Sequence, residues 1–426
     1  MTGTALQPAR QRVRDTLAHR EPDRVPIDLG STSVTGIHVS VVMGLREYYG
    51  LEKQLVKVYD PYQMLGAVEE DLARAMKVDV WGIPRRRSHF GFVNENWKPW
   101  RVNGLEVLVA GGFEVDTEPD GSIVIYPQGD RTAAPSGRMP AGGWFFDSIV
   151  RQNHFDPDHL DPADNLEEYK PVSEEDLEWN LGWLAVGEMT GRGIIAAFGG
   201  TGFGDIATVP APGLKDPRGI RDISEWYVSL RSRKSHIHAI FERQCELALE
   251  NLKKIHNAVG DRIDAVYLCG TDFGTQNSAF CSVATFRQLW LPYYSAICKW
   301  IHANTRWKCF KHSCGSVERF FESMIEAGFD IINPVQCSAA GMEPEKLKKT
   351  YGSRLVFWGG GVDTQKTLAF GTPEQVREEV LRRCEVFAPG GGFVFNPVHN
   401  IQAMTPVANV VAMLNAVHEF NGVPNA

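Results

Sequence analysis

Short apolar runs alternate along this chain with longer segments in which apolar residues recur at helical spacing. Runs of the strand type lie at residues 24–30, 79–83, 194–198, 265–269, 307–310, 331–335, 355–358 and 392–395. Helical patterns separate the later runs, as at residues 226–256, 283–303 and 407–420. Strands that alternate with helices are typical of a parallel α/β fold. About eight such strands favour a closed TIM (β/α)8 barrel over an open sheet.

The segment from about residue 90 to 180 departs from this rhythm. Apolar runs at 105–109, 113–115 and 122–126 are separated by Gly or Asp-Gly turns, and Asp120-Gly121 is typical of a hairpin. Residues 128–180 are rich in Pro, Asp and Gly and predict a long ordered loop with short helices. Helical spacing at 9–19 and 41–65 precedes the insert. We therefore expect a single barrel domain over 1–426, with a small antiparallel β-hairpin insert and an extended N-terminal region.

Composition narrows the class of protein. The net charge of −8, from 44 basic and 52 acidic residues, offers no general attraction for nucleic acid or acidic lipid. Residues 1–24 lack the apolar core of a signal peptide, and no apolar run approaches the ~20 residues that span a bilayer. The eight cysteines are scattered, which is typical of reduced thiols. These features predict a cytoplasmic enzyme that acts without a membrane.

A candidate metal-binding pair follows the strand at 307–310. His312 and Cys314 stand two residues apart in the segment Lys311-His312-Ser313-Cys314-Gly315. Imidazole and thiolate are preferred ligands of Zn²⁺, and a catalytic zinc needs three protein ligands and one open position. The alternative is a buried Cys beside a hydrogen-bonded His at a Gly turn.

The barrel topology extends this pair into a candidate site, because the carboxyl ends of barrel strands converge. Cys337 follows the next strand and is a candidate third ligand. His399 follows the last strand and is a candidate fourth ligand or proton carrier. The alternatives are a small buried side chain for Cys337 and a histidine bonded to a loop carbonyl for His399.

Further polar residues mark the same strand ends. Asp272, Gln276 and Asp363 are candidates to orient a substrate or act in acid–base chemistry, and Gln336 and Asn396 are candidates to bind a cofactor. For the aspartates, capping of the following helix is the alternative. The loop 199–204 is a weak candidate for an anion site, and the arginines at 85–87 are a candidate carboxylate site.

Taken together, these segments resemble the uroporphyrinogen decarboxylase superfamily, and within it the branch of cobalamin-dependent methyltransferases. The motifs that carry the resemblance lie at residues 23–26, 270–276, 311–315, 332–336, 359–365, 370–376 and 397–402. The superfamily's fold is a TIM barrel. In the decarboxylases an Arg-Gln-Ala-Gly-Arg-Tyr segment binds the tetrapyrrole carboxylates, whereas this chain has Asp-Leu-Gly-Ser-Thr at 28–32. Heme-pathway decarboxylation is therefore not expected.

The methyltransferase branch binds zinc through a His-x-Cys pair and a distant Cys, and its methyl group passes to or from a corrinoid. His312 and Cys314 match the pair, but residues 388–402 contain no Cys. His399 stands near the missing position, and Cys337 offers a different third ligand. A corrinoid-binding Asp-x-His-x-x-Gly segment is absent, so the resemblance implies a separate corrinoid protein or loosely bound cofactor, with tetrahydrofolate as another carrier.

The leading hypothesis is a zinc-dependent methyltransferase or demethylase that moves a methyl group between a small-molecule donor and a corrinoid or tetrahydrofolate carrier. One alternative is a metal-free decarboxylase in which the arginines at 85–87 bind a carboxylate. Another is a non-catalytic barrel that binds a corrinoid or tetrapyrrole. A homodimer is a candidate assembly, since exposed barrel helices commonly pair.

Overall fold

A curled, seven-stranded parallel sheet forms the centre of the molecule. The computed structural model describes residues 7–156, 159–198 and 200–423. The strands lie side by side in chain order, which gives a TIM-like α/β fold. They span Val80–Ile83, Gly193–Ala197, Ala265–Cys269, Lys308–His312, Ile331–Asn333, Val356–Trp358 and Phe393–Val394. Their side chains are almost all buried, as expected for parallel strands covered by helices.

The predicted first strand, at residues 24–30, is reduced to a single parallel bridge between Ile27 and Phe395. Its backbone nevertheless bonds to both edges of the sheet. The Asp28 N–H donates to the Phe395 carbonyl at 2.9 Å, and the Asp79 N–H donates to the Ile27 carbonyl at 2.8 Å. Pro26 has no N–H to donate, which limits the pairing on this segment.

Helices cover the sheet, and several differ from their predicted extents. The predicted helix 226–256 is divided at Arg233, and 283–303 is divided at Trp290 before Pro292. The helices span Ala9–Leu17, Val39–Tyr48, Glu70–Ala75, Glu174–Thr190, Ile223–Ser232, Lys234–Val259, Val283–Leu289, Leu291–Asn304, Phe321–Ala327, Pro344–Tyr351, Thr367–Phe370, Pro373–Phe387 and Val407–Phe420. None of these described helices has the length and hydrophobicity needed to cross a bilayer.

The long helix Glu174–Thr190 is a correction to the prediction of a loop through residue 180. Ser173 and Asp176 form a capping box at its start, with reciprocal side-chain bonds to the backbone. Its apolar residues do not gather on one face, so the helical period is absent from its sequence. The capping box is therefore the feature of the sequence that indicates where this helix begins.

Antiparallel strands in the N-terminal region are more extensive than one hairpin. Val58–Asp60 pairs with Leu65–Gly66, so the predicted helix 41–65 is wrong beyond Tyr48. Lys98–Val102 pairs with Leu105–Val109. A four-stranded sheet spans Val115–Thr117, Ile123–Ile125, Gly137–Met139 and Asp147–Ser148. The Asp120-Gly121 turn lies between the first two of these strands, as predicted, with Gly121 at φ +81°.

An ion-pair network ties the first helix to the sheet edge. The fully buried Arg12 guanidinium lies 2.7 Å from Asp23 and 2.6 Å from Asp79. The other oxygen of Asp79 accepts the Ile27 N–H at 3.0 Å. Breaking a buried pair of this kind leaves an uncompensated charge and costs several kcal/mol. The network therefore fixes the N-terminal segment against the sheet.

Buried neutral histidines predict a loss of stability in acid. Burial lowers the pKa of His418 to about 4, and its Nε2 makes no hydrogen bond to any described residue. The unfolded chain binds the proton near pH 6.5, so stability present above that pH is lost as the pH falls toward 4. At pH 5 this residue alone is expected to lower the free energy of unfolding by about 2 kcal/mol.

Urea titrations at pH 7 and pH 5 measure this loss. His418→Gln, which cannot take up the proton, should reduce the difference between the two pH values. An exposed histidine change, His159→Gln, is the matched control and should leave the difference as it is in the wild type. An unchanged difference in His418→Gln would contradict the prediction.

Candidate metal centre

His312 ends the strand Lys308–His312, and its imidazole is held in one orientation by the neighbouring strands. Its Nδ1 lies 2.6 Å from Asn333 Oδ1, and Asn333 Nδ2 donates to the Trp358 carbonyl at 2.7 Å. Because the amide nitrogen is used on Trp358, the amide oxygen must accept the proton of His312 Nδ1. The Nε2 lone pair of His312 is therefore directed toward Cys314 and can accept from its thiol or bind a metal.

Cys314 lies in the tight loop that follows His312. Its Sγ is 3.4 Å from His312 Nε2, and its N–H donates to Asp272 Oδ1 at 2.7 Å. The loop turns at Gly315, where φ is +86° and a Cβ atom would come within 2.6 Å of the backbone at Gly274. Only glycine meets both conditions, so the turn that places the thiol depends on it.

His399 completes a candidate triad from the far end of the sequence. It follows the strand Phe393–Val394, and its ring centroid is 5.4 Å from that of His312. The ligand atoms of His312, Cys314 and His399 all lie within 4.8 Å of one another. Two imidazoles and one thiol thus converge.

The electrostatics of the triad suit a soft divalent cation. Burial lowers the pKa of His312 to about 3 and that of His399 to about 4, so both rings are neutral at neutral pH. Burial, followed by the charge of Asp272, raises the pKa of Cys314 well above its ordinary value. A thiolate at this position therefore requires a compensating cation. The donor set of two nitrogens and one sulfur fits zinc with an open fourth position.

The triad borders a cavity at the carboxyl ends of the strands. The cavity has a volume of about 790 Å³, and His312, His399 and Asp272 form part of its wall. This size is within the usual range for small-molecule sites. The remaining wall includes aromatic residues and ionisable groups, among them Tyr59, Asp60, Tyr62, Arg85, His89, Asp205 and Tyr267.

Cys337, the predicted third ligand, does not join the triad. Its thiol lies 3.4 Å from the Val335 carbonyl and 3.9 Å from the Gly360 carbonyl, which both accept from it. The backbone after the strand Ile331–Asn333 turns the thiol toward the next loop and away from Cys314. The structure therefore places His399, rather than Cys337, beside the His-x-Cys pair.

Gln276 and Gln336 support the loop that carries Cys314 and Gly315. Gln336 Oε1 accepts the Gly315 N–H at 2.7 Å, and its Nε2 donates to Gln276 Oε1 at 2.7 Å. Gln276 in turn donates to the Ser338 carbonyl at 3.0 Å. Neither side chain forms part of the cavity wall. Both amides are thus placed to position the Gly315 turn, away from a bound substrate or cofactor.

Asp363 and Asn396 are also used within the protein. Asp363 Oδ1 accepts the N–H groups of Gln365 and Lys366, which start the turn into the short helix Thr367–Phe370. Asp363 thus forms a turn ahead of this helix, whose own N-cap residue, Lys366, makes no side-chain cap. Asn396 donates to the Asp28 carbonyl at 2.9 Å, while its buried oxygen has no hydrogen-bond partner among the described residues. Neither residue borders the cavity.

Asp205 was not identified from the sequence, although it lies in the cavity wall. Burial raises the pKa of its carboxyl, and the nearby charge of Asp272 raises it further. It follows the strand Gly193–Ala197 and the glycine-rich loop, so its place after a strand end was an available signal. Gly199 lies outside the described residues, and the Phe203 carbonyl of that loop accepts from Thr271 and Trp290. These bonds favour a packing role for the loop.

Comparison with known proteins identifies the carboxyl-terminal half. The family model for uroporphyrinogen decarboxylase (URO-D) matches residues 217–420. Residues 217–420, slightly less than half of the chain, are thus similar to this family. The match confirms the superfamily resemblance and includes all three residues of the triad.

Individual relatives match shorter segments of the chain. A uroporphyrinogen decarboxylase of Pseudoalteromonas translucida is 33% identical over 89 residues, which are 20% of this chain and 24% of that protein. That of Methylobacillus flagellatus is 32% identical over 102 residues, 24% of this chain and 27% of that protein. The chain thus matches only about a quarter of the length of these curated relatives.

A solved methyltransferase from Methanosarcina mazei shares the fold over nearly the whole chain. The two structures superpose with a TM-score of 0.54 at 15% sequence identity. The superposition covers 97% of this chain and 99% of the methyltransferase chain. At this identity the likeness shows a common fold and does not show a common reaction.

Removing one triad ligand is expected to remove one equivalent of zinc. All proteins are purified from zinc-supplemented medium and their zinc is measured by elemental analysis. His312→Ala and Cys314→Ala should each contain one equivalent of zinc less than the wild type. Cys337→Ala is the matched control, because its thiol lies outside the triad and should not affect zinc content. Equal zinc in all four proteins would exclude the triad as a metal site.

The amide that orients His312 provides a second prediction. Asn333→Ala removes the acceptor for His312 Nδ1–H, and loss of such an outer partner lowers metal affinity by roughly 10- to 100-fold. Competition with a chromophoric chelator measures the change. Asn251→Ala, which removes a buried amide far from the site, should leave zinc affinity unaltered.

Proposed function

We propose that this protein is a zinc-dependent methyltransferase or demethylase, which moves a methyl group between a small substrate and a corrinoid or tetrahydrofolate carrier. The observation that supports it most directly is the triad of His312, Cys314 and His399 beside a cavity of about 790 Å³. The family domain and the fold shared with a methyltransferase are consistent with this function.

The three side chains of the triad would hold the metal in this proposal. Zinc held there would act as a Lewis acid, which stabilises an attacking thiolate or withdraws charge from the heteroatom that carries the methyl group. His312 would bind through Nε2, because Asn333 holds its Nδ1 proton. Cys314 would bind as the thiolate, with the backbone bond to Asp272 fixing its loop.

Asp205 and Asp272 would handle protons in the cavity. Burial raises the pKa of both carboxyls, and the charge of Asp272 raises that of Asp205 further. Asp272 Oδ1 is 3.9 Å from His312 Nε2, which brings it beside the proposed metal ligands. A carboxyl group whose pKa is raised in this way holds its proton more readily, and a protonated carboxyl can serve as a general acid for a leaving group. Asp272 is therefore proposed to orient substrate, with Asp205 as its partner.

A metal-free decarboxylase is the second candidate function. The curated relatives of the family domain are uroporphyrinogen decarboxylases. In addition, the Arg85 guanidinium borders the cavity, where its charge lowers the pKa of the Asp60 and Asp205 carboxyls. Such a group is suited to bind a substrate carboxylate. In this alternative Asp272 would stabilise the charge that develops at the reacting carbon.

Turnover assays separate the two candidates. We expect zinc-loaded protein to transfer methyl from methylcobalamin to a small thiol, or from methyltetrahydrofolate to reduced cobalamin, followed by absorbance. His312→Ala should lower kcat/KM by about 100-fold or more, because a metal contributes several kcal/mol to transition-state stabilisation. Asp363→Asn is the matched control, since its carboxyl lies outside the cavity.

The same proteins test the alternative with uroporphyrinogen III as the carboxylate probe. Release of CO₂ by zinc-stripped protein, unaffected by His312→Ala and lost in Arg85→Ala, would contradict the methyltransferase proposal. Tight binding of cobalamin without turnover of any probe would contradict both candidate activities and favour a carrier. We also propose a separate corrinoid protein as the methyl carrier and a homodimeric assembly.

A further inference from the structure

A second group of potential metal ligands lies at the opposite end of the strand that carries His312. A ring nitrogen of His302, the Cys309 sulfur and a carboxylate oxygen of Asp330 all lie within 4.8 Å of one another. Cys309 and His312 are three residues apart on one strand, which separates them by roughly 10 Å. This group is therefore at the amino-terminal side of the sheet, distinct from the cavity.

The local structure adds a fourth donor to this group. Cys298 and His302 lie four residues apart on the helix Leu291–Asn304, so they share one helix face. The thiol of Cys298 neighbours that of Cys309, and both residues are fully buried. Gly328, which ends the helix Phe321–Ala327, packs closely against Cys298. A Cβ atom added at Gly328 would lie 2.8 Å from the Cβ atom of Cys298. Cys298 lies outside the group whose ligand atoms are all within 4.8 Å of one another, so its closeness to Cys309 makes it the candidate fourth donor.

An ion pair explains only part of this arrangement. Asp330 lies 2.8 Å from His302 Nε2 and 2.9 Å from Lys308 Nζ, and it also accepts the Cys309 N–H at 2.8 Å. These contacts satisfy the carboxylate. They give no role to two adjacent buried thiols beside an imidazole, a grouping that is preferred by zinc.

We propose that Cys298, His302, Cys309 and Asp330 form a structural zinc site at the amino-terminal side of the sheet. Two thiolates and one carboxylate around Zn²⁺ leave a net charge of −1, and Lys308 lies 2.9 Å from the outer oxygen of Asp330 to balance it. Zinc–ligand bonds of about 2.0 to 2.3 Å require the four donors to close in by side-chain movement.

The site has an entry path and a structural consequence. The His302 and Asp330 side chains are 41% and 17% exposed, whereas both thiols are fully buried. An ion can therefore reach the thiols from solvent past His302. Once bound, it links the helix Leu291–Asn304 to the strands Lys308–His312 and Ile331–Asn333, so it would stabilise the side of the barrel that faces away from the reaction.

Zinc stoichiometry in the full-length protein tests this site. We expect two equivalents in the wild type, one in His312→Ala, one in His302→Ala and none in the double variant. His302 is partly exposed, so its replacement should not prevent folding. His256→Ala is the matched control, because this residue also lies in the last turn of a helix and pairs with an aspartate, but it has no cysteine of the group beside it. Zinc in His302→Ala equal to that in the wild type would overturn the proposal.

Cobalt substitution provides an independent measurement that does not depend on activity. In the His312→Ala background, bound Co²⁺ should give a thiolate-to-metal charge-transfer band from Cys298 and Cys309. Cys298→Ser, which preserves side-chain volume, should reduce the intensity of that band to about half, since the intensity follows the number of thiolate ligands. No thiolate band in the His312→Ala protein would exclude these cysteines as ligands, whatever the outcome for the cavity.

Discussion

The hydrogen bond between His312 and Asn333 is the contact on which the candidate site depends. Parallel register sets the two residues side by side on neighbouring strands. Asn333 is fixed in turn by the Trp358 carbonyl on the next strand, and the Trp358 indole donates to the buried Asp28 at 2.9 Å. A relay across three strands and the N-terminal segment therefore orients a single imidazole. Metal ligands depend on outer partners of this kind for their tautomer and direction.

A second relay places the thiol. The Cys314 N–H is held by Asp272, and the adjacent Gly315 N–H is held by Gln336, which Gln276 supports. Side chains that the sequence marks as candidate reactants thus act by positioning a loop. The carboxyl end of a strand brings polar groups to one region, but whether each faces the cavity or the loop behind it depends on the turn that follows. Asp272 faces both.

The strand Lys308–His312 carries ligand groups at both ends of the curled sheet. His312 at its carboxyl end joins Cys314 and His399, where the strand ends open into the cavity. Cys309 near its amino end lies with His302 and Asp330. In TIM-like folds the carboxyl side carries chemistry and the amino side carries stability. The two groups of ligands fit that division, which is why loss of metal is expected to have different consequences at the two ends.

The sequence by itself determined the alternating α/β architecture, most strands of the sheet and the His312–Cys314 pair, because these rest on local hydrophobic period and on two-residue spacing. It did not predict the helix Glu174–Thr190, whose apolar residues lack a single face, nor the strand pair that replaces the end of the predicted helix 41–65. Only the tertiary structure decided that His399, and not Cys337, lies beside the His312–Cys314 pair. Their positions depend on how two loops leave distant strands, and the direction of a loop is set by long-range register and packing rather than by neighbours in sequence.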